Sequence, residues 1–299
     1  MQEYNVVVET KPGTFEEVLA TDDMTLQQLA EECQENYRDR IVLANVNGRL
    51  RELNKKVTDG AIVSFLNMTE RDGKRTYRRS VTLLLQKAVD NLWGDSVHVR
   101  VFYSLGEGYY CELENNSIDD EKLAAIKSEM QRLVELNLPI EKNSVKTEEA
   151  EHRFRDRGMK DKERLLHYRR SSRVNLYSLD GMEDYFYGYM VSSTGYLGVF
   201  DLQLYEDGFV LLFPNKDGSK VEPLNTSNKL YHTLKQSREW SRMLGVGTIG
   251  ALNDAIAAGK GEQIVLLQEA LMEERIGALA AQIAERGNVK FVMIAGPSS

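Results

Sequence analysis

The first 68 residues alternate short apolar runs with polar turns. Pro12-Gly13, Asn47-Gly48 and Asp59-Gly60 are turn signals between the runs. Thr25-Leu26-Gln27-Gln28 has the form of a capping box and predicts the start of a short helix. The predicted strands are residues 4–9, 14–19, 41–46, 50–53 and 61–66. The order strand, strand, helix, strands predicts a small β-grasp domain over residues 1–68.

Residues 69–222 mix helical and strand patterns. Residues 69–80 are polar and basic, and they predict a linker that runs into a helix. The apolar stripe of that helix is Leu84, Leu85, Ala88 and Leu92. A hairpin follows, with strands at 97–103 and 109–114 and a turn at Gly106-Glu107-Gly108.

A second helix is predicted over residues 119–137, with Ser117 as its N-terminal cap. Its buried stripe is Leu123, Ile126, Met130, Leu133 and Val134. Residues 175–213 are aromatic and apolar with turn signals between the runs, which predicts antiparallel strands. The unit 69–222 is therefore predicted to be α+β.

Beyond Pro223 the pattern is helical, and residues 223–288 are predicted to be a helical linker. Gly245-Val246-Gly247-Thr248-Ile249-Gly250 matches the dinucleotide-binding pattern, but a helix rather than a strand is predicted before it. We therefore interpret these glycines as a bend between helices. A final stripe needs a partner surface and consists of Leu267, Leu271, Ile276, Leu279 and Ile283.

The last residues, 289–299, combine a short apolar run with a turn. Residues 289–295 predict a buried parallel strand. Gly296-Pro297-Ser298-Ser299 follows at once and matches the opening of a phosphate-binding P-loop, whose backbone N–H groups cradle phosphates. The Gly-Lys-Ser/Thr part of that loop does not occur before the end of the sequence.

Composition excludes several classes of protein. The 299 residues are 42% hydrophobic and 28% charged, which predicts more than one globular domain. The formal net charge of −8 argues against a chain that coats nucleic acid indiscriminately. The sequence has neither a membrane-length apolar run nor a signal peptide, so a cytoplasmic protein without membrane partners is predicted. Cys33 and Cys111 are predicted to be buried thiols, and the four histidines have no metal-site spacing.

The first unit resembles the TGS domain found at the front of threonyl-tRNA synthetases, with residues 43–48 as its central hairpin. Residues 69–222 resemble the second additional domain of threonyl- and alanyl-tRNA synthetases, which removes a wrongly attached amino acid. The stretches that carry this resemblance are residues 78–85, 106–110 and 184–195.

The resemblance places the two helix histidines of that family on Arg79 and Leu83, its cysteine on Phe186 and its last histidine on Met190. None of these four side chains provides an imidazole or a thiol, so editing chemistry and catalytic residues are not expected here. The remaining side chains suggest a ligand groove in which aromatic rings stack on a nucleobase, or alternatively rings that fill the vacated space. The candidate groove residues are Arg79, Leu83, Tyr185, Phe186, Tyr187, Tyr189 and Met190.

Two basic stretches leave two interpretations open. They are Arg71, Lys74, Arg75, Arg78 and Arg79, and then Arg153, Arg155, Arg157, Lys160, Lys162, Arg164, Arg169, Arg170 and Arg173. On a shared face they would bind phosphates of RNA or of a nucleotide. Acidic residues within the second stretch favour the alternative, a solvated helix face.

The order of all these parts resembles a bacterial family of uridine or nucleoside kinases, in which a P-loop kinase domain follows directly. This resemblance implies a non-catalytic regulatory or ligand-sensing region whose parent transfers phosphate from ATP with Mg²⁺, while this fragment has no cofactor. It implies a downstream kinase domain as partner and a nucleoside or nucleotide as ligand. The alternative is an RNA- or tRNA-binding module derived from a synthetase and lacking editing activity.

Overall fold

The computed structural model describes residues 3–294, and it is a mixed α/β structure with three sheets. The predicted mixture of helices and sheets is confirmed. The strands are β1 (Glu3–Lys11), β2 (Thr14–Thr21), β3 (Ile41–Val46), β4 (Arg49–Arg51), β5 (Ile62–Asn67), β6 (Val99–Leu105), β7 (Gly108–Leu113), β8 (Ile140–Lys146), β9 (Arg173–Leu179), β10 (Met182–Tyr185), β11 (Asp201–Tyr205) and β12 (Gly208–Leu212). The helices are α1 (Leu26–Cys33), α2 (Arg71–Trp93), α3 (Asp120–Glu135), α4 (Thr147–Asp156), α5 (Lys160–His167), α6 (Asn228–Met243), α7 (Ile249–Ala257) and α8 (Gly261–Glu285).

The first sheet has the order β2-β1-β5-β3-β4, with β1 and β5 parallel and the other pairs antiparallel. The capping box is present, since the Thr25 side chain accepts from the Gln28 amide and the Gln28 side chain accepts from the Thr25 amide. Asn47 and Gly48 both have positive φ and form the two-residue turn between β3 and β4. The short-range signals of residues 3–67 are therefore confirmed at the level of secondary structure.

Helix α2 begins at Arg71, so the prediction of a linker over 69–80 is wrong for most of that range. Two of the polar residues that suggested a linker, Thr76 and Ser80, are buried, and Ser80 Oγ donates to the Thr76 carbonyl at 2.8 Å. Gly73 allows the helix to pass close to β5, since a Cβ atom there would lie 1.8 Å from the Asn67 carbonyl oxygen. The hydrophobic core is continuous from the first sheet through α2 to Phe213.

Two further sheets pack around α2 and α3. One has the order β11-β12-β7-β6 and the other the order β10-β9-β8, and all of their strand pairs are antiparallel. Helix α3 buries Ile126, Met130 and Leu133 as predicted. Its cap is Asp119 and not Ser117, because the Asp119 carboxylate reaches the Lys122 amide at 2.8 Å. Cys33 and Cys111 are both buried free thiols, as predicted.

Helices α6 and α7 flank residues 244–248, which confirms that the glycine pattern lies in a bend between helices. Helix α8 leaves its apolar stripe largely uncovered by the described residues, with Leu279 58% exposed. Residues 289–294 form no strand and are exposed, contrary to prediction, since no described strand borders them to share ladder hydrogen bonds. Ala295 and the predicted P-loop start, Gly296 to Ser299, lie outside the described residues.

No helix within residues 3–294 has both the length and the apolar character needed to cross a membrane.

Candidate functional site

One face of α2 forms the floor of a cleft of about 740 Å³, which we call the first cleft. Arg75, Arg79, Thr82 and Gln86 lie at helical spacing and all line this floor. The opposite face of α2 is packed into the core, so the helix is held with these four positions facing the cleft.

Other elements bring more basic side chains to the same cleft. Arg100 comes from β6 beside His98, and Lys160 and Lys162 come from the first turn of α5. The aromatic residues Phe102, Tyr109 and Phe186 and the bend at Gly247-Thr248 also line the cleft, as do the carboxylates of Glu114 and Asp161. The first cleft thus joins residues from both basic stretches, which are about 80 positions apart in the sequence.

Most cations of the first cleft have partners that hold them in place. Arg100 pairs with Glu114, and Lys162 pairs with Asp184. Arg75 Nη1 lies 3.5 Å from Asp72 Oδ1. Lys160 has no carboxylate within 4.0 Å among residues 3–294 and is exposed at the mouth.

Arg79 is fixed more firmly than the other cations. Its Nη1 donates to the Tyr189 carbonyl at 2.6 Å. Gly188 has a φ of +127°, and a Cβ atom there would lie 2.5 Å from Arg79 Cζ, so this position needs glycine. Burial lowers the pKa of Arg79, although an arginine keeps its charge at neutral pH.

The structure brings segment 79–83 of α2 against segment 186–190. Ser80 Oγ lies 3.4 Å from Met190 Sδ and accepts from the Val191 amide at 3.0 Å. Leu83 and Met190 are buried in this seam, where neither can reach a ligand. Among residues 3–294 no group of three His, Cys, Asp or Glu side chains could hold a metal ion.

The four aromatic rings of the predicted groove do not share one cavity. Phe186 lines the first cleft, whereas Tyr189 lines a different one. Tyr185 lies against Arg169 in a third depression, with 5.9 Å between the Arg169 Cζ atom and the ring centroid, and Tyr187 is 81% exposed. Strand β10 ends at Tyr185 and the chain bends at Tyr187 and Gly188, which separates the rings. Their role in ligand binding stays a prediction.

Most of the second basic stretch lies in ion pairs on the surfaces of α4 and α5. Arg153 Nη1 is 2.5 Å from Glu183, Arg155 Nε is 2.6 Å from Glu163, and Arg157 contacts Asp95 at 3.1 Å. These residues match the solvated-face interpretation. Only Lys160 and Lys162 of that stretch line the first cleft.

A second cleft, of about 660 Å³, includes Tyr189 of the predicted groove, but its other lining residues were not predicted as a site. It lies between the first sheet and β8, and its basic residues are Arg49, Arg51, Lys55, Lys56 and Lys142. Glu52 lies at its base, buried, and accepts from Tyr177 Oη, from Lys142 Nζ at 3.3 Å and from the Met190 amide at 3.4 Å. Four cations within residues 49–56 were the sequence signal that would have indicated this site.

Comparison with known proteins shows similarity to threonine–tRNA ligases. The chain is 29% identical to the enzyme of Syntrophotalea carbinolica over 163 residues, which are 54% of this chain and 26% of that enzyme. It is 30% identical to the enzyme of Rubrobacter xylanophilus over 167 residues, 56% of this chain and 26% of the enzyme. Identity to threonine–tRNA ligase 2 of Bacillus subtilis is 27% over 181 residues, 60% of this chain and 28% of the enzyme.

The chain thus matches about a quarter of the length of these curated relatives. No protein-family model matches it. The similarity agrees with the predicted resemblance to synthetases, and it gives no support to a nucleoside kinase parent.

Proposed function

We propose that this chain is an RNA-binding module of the threonyl-tRNA synthetase type, with tRNA as its partner and without editing activity. The observation that carries this proposal is the first cleft, where five cations from α2, β6 and α5 line the same cavity as the aromatic rings of Phe102, Tyr109 and Phe186. The similarity to threonine–tRNA ligases supports tRNA as the RNA.

The cleft suits a single-stranded end of RNA. Basic side chains neutralise backbone phosphates, and the Phe186 ring offers a face on which a base can stack. Gln86 adds a polar side chain to the floor of the cleft, where an amide can hydrogen-bond a base edge. Binding is local, because the whole chain carries a net charge of −8.

The seam beneath the cleft supports binding without hydrolysis. Removing an amino acid from tRNA requires an activated water or a nucleophile beside the ester. At the positions that the resemblance assigns to that chemistry, Arg79 donates to a backbone carbonyl, and Leu83 and Met190 are buried in the core. Phe186 carries only a hydrocarbon ring.

Three further interpretations belong to this proposal. They are the β-grasp and TGS assignment of the first unit, the synthetase-like nature of residues 69–222, and the helical linker over 223–288. Neither the first cleft nor the similarity to threonine–tRNA ligases supports a nucleoside kinase parent or a downstream kinase domain. RNA binding, which the sequence suggested as the alternative, is therefore the function that we propose.

The test is a titration of labelled tRNA with the wild-type chain and with the double variant Arg75→Gln, Lys160→Gln. Both side chains are exposed, so the fold should be retained. We expect the double variant to raise the dissociation constant about tenfold at moderate salt, since loss of two phosphate contacts removes about 1–2 kcal/mol. The matched control is Lys146→Gln, an exposed lysine on β8 outside the cleft.

Two results would overturn the proposal. One is tRNA affinity that is equal in the wild type and the double variant, and the other is affinity that does not weaken as salt rises. A tRNA that lacks its single-stranded 3′ end should bind more weakly than the intact molecule. Equal binding of the two RNAs would rule out an RNA end as the occupant of the first cleft.

A further inference from the structure

The second cleft concentrates positive charge from a single short segment. Arg49 and Arg51 are two positions apart on β4, the edge strand of the first sheet, so their side chains leave the same face. Lys55 and Lys56 follow in the next loop, and Lys142 approaches from β8. The cleft is therefore assembled where two sheets meet.

Most of this charge has no direct ion-pair partner among the described residues. Within residues 3–294, Arg49, Arg51, Lys55 and Lys56 have no carboxylate within 4.0 Å. The lining includes one carboxylate, Glu52, and its contacts with Tyr177, Lys142 and the Met190 amide already occupy it. Four like charges side by side repel one another, and an anion in the cleft would relieve that repulsion.

An apolar and aromatic part adjoins the cations. Leu26, Val46 and the half-buried Tyr189 line the cleft. Lys142 Nζ lies 4.8 Å from the centroid of the Tyr189 ring, which holds the ring in a fixed position beside the charged part. The volume of about 660 Å³ is in the range of small-molecule sites.

We propose that the second cleft binds a nucleoside di- or triphosphate. The phosphates would lie on Arg49, Arg51, Lys55 and Lys56, and the base would lie against Tyr189. Four cations within eight residues favour adjacent phosphates on a compact ligand over the spaced phosphates of an extended RNA strand. This site is separate from the first cleft, and the proposal does not depend on RNA binding there.

The test uses the full chain and a fluorescent ATP analogue, with GTP, tripolyphosphate and adenosine as competitors. We expect ATP and GTP to compete, tripolyphosphate to compete more weakly, and adenosine to compete least. The double variant Arg51→Gln, Lys55→Gln should raise the dissociation constant of the ATP analogue about tenfold or more, since charge-assisted contacts are lost. Lys146→Gln is again the matched control.

A second variant separates the base from the phosphates. Tyr189→Leu should weaken binding of the ATP analogue and leave tripolyphosphate binding unchanged. Equal affinities for ATP and tripolyphosphate would overturn base recognition, and unchanged affinity in the Arg51→Gln, Lys55→Gln variant would overturn the site itself. Arg75→Gln with Lys160→Gln should leave nucleotide affinity unchanged. A negative result for RNA binding in the first cleft would therefore not count against nucleotide binding in the second cleft, and the reverse also holds.

Discussion

The two clefts contain the same number of basic residues but balance their charge differently. In the first cleft Arg75, Arg100 and Lys162 are paired with carboxylates, and Arg79 is bonded to a backbone carbonyl. In the second cleft, only Lys142 has a carboxylate partner among the described residues. The lining cations of the second cleft are Arg49, Arg51, Lys55, Lys56 and Lys142.

The difference shows that a count of basic residues does not determine what a surface binds. A paired cation is held in place, so little side-chain entropy is lost when a ligand arrives, but its field is partly cancelled. An unpaired cation keeps its full charge and is ordered only by the ligand. We therefore expect ligand binding in the first cleft to depend on how well the ligand fits cations that are already fixed in place. We expect binding in the second cleft to depend mainly on the negative charge of the ligand.

The largest expected effect comes from Glu52, at the base of the second cleft. Glu52→Ala should lower the free energy of unfolding by about 3 kcal/mol, because Tyr177, Lys142 and the Met190 amide would lose their common acceptor in a buried place. Urea denaturation measures this change. The control is Glu141→Ala, an exposed glutamate on β8, with an effect of less than about 0.5 kcal/mol. A similar loss of unfolding free energy in the two variants would show that the contacts of Glu52 with Tyr177, Lys142 and the Met190 amide do not stabilise the fold.

The parts of this arrangement that are local in sequence were predictable. Turn residues such as Asn47-Gly48 and the Thr25 capping box act over two to four positions, so pattern alone identifies them. Buried polar side chains were not predictable in this way, since Ser80 reads as surface until its partners Thr76 and Val191 are known.

The clefts needed the tertiary structure. Arg75, Arg100 and Lys160 meet in the first cleft only because α2, β6 and α5 pack together. The sequence identified the aromatic residues of segment 185–189 but not their separation into different cavities. That separation depends on backbone direction, including the positive φ of Gly188, which periodicity does not encode.

A middle-sized effect tests the contrast between paired and unpaired cations directly. Lys162→Met should cost about 2 kcal/mol of stability, since it leaves the buried Asp184 carboxylate with the Tyr185 amide as its remaining donor. Lys55→Met, the same substitution at an unpaired cation, should change stability by less than about 0.5 kcal/mol. Thermal and urea unfolding compare the two variants. A larger loss of stability in Lys55→Met than in Lys162→Met would contradict the description of Lys162 as the paired cation and Lys55 as the unpaired one.

The smallest effect concerns the Tyr177 hydroxyl, which contacts Glu52 and lies 2.5 Å from the Gly188 carbonyl. Burial raises the pKa of Tyr177, and the Glu52 carboxylate raises it further. A phenol in the unfolded chain ionises near pH 10, whereas the folded one stays neutral to higher pH. The stability that the neutral hydroxyl contributes is therefore complete below about pH 10 and is lost progressively as the pH rises above it.

Tyr177→Phe removes the ionisable hydroxyl, so the difference between wild type and variant isolates the pH dependence of stability that Tyr177 causes. At pH 7 the variant should be less stable than the wild type by about 1 kcal/mol, because two polar contacts are lost. Between pH 10 and pH 11 the wild type should lose about 1 kcal/mol more than the variant, since one proton is released on unfolding. Urea unfolding at each pH gives the slope of the unfolding free energy against pH for the wild type and for the variant. Parallel slopes would mean that Tyr177 ionises as readily in the folded protein as in the unfolded chain.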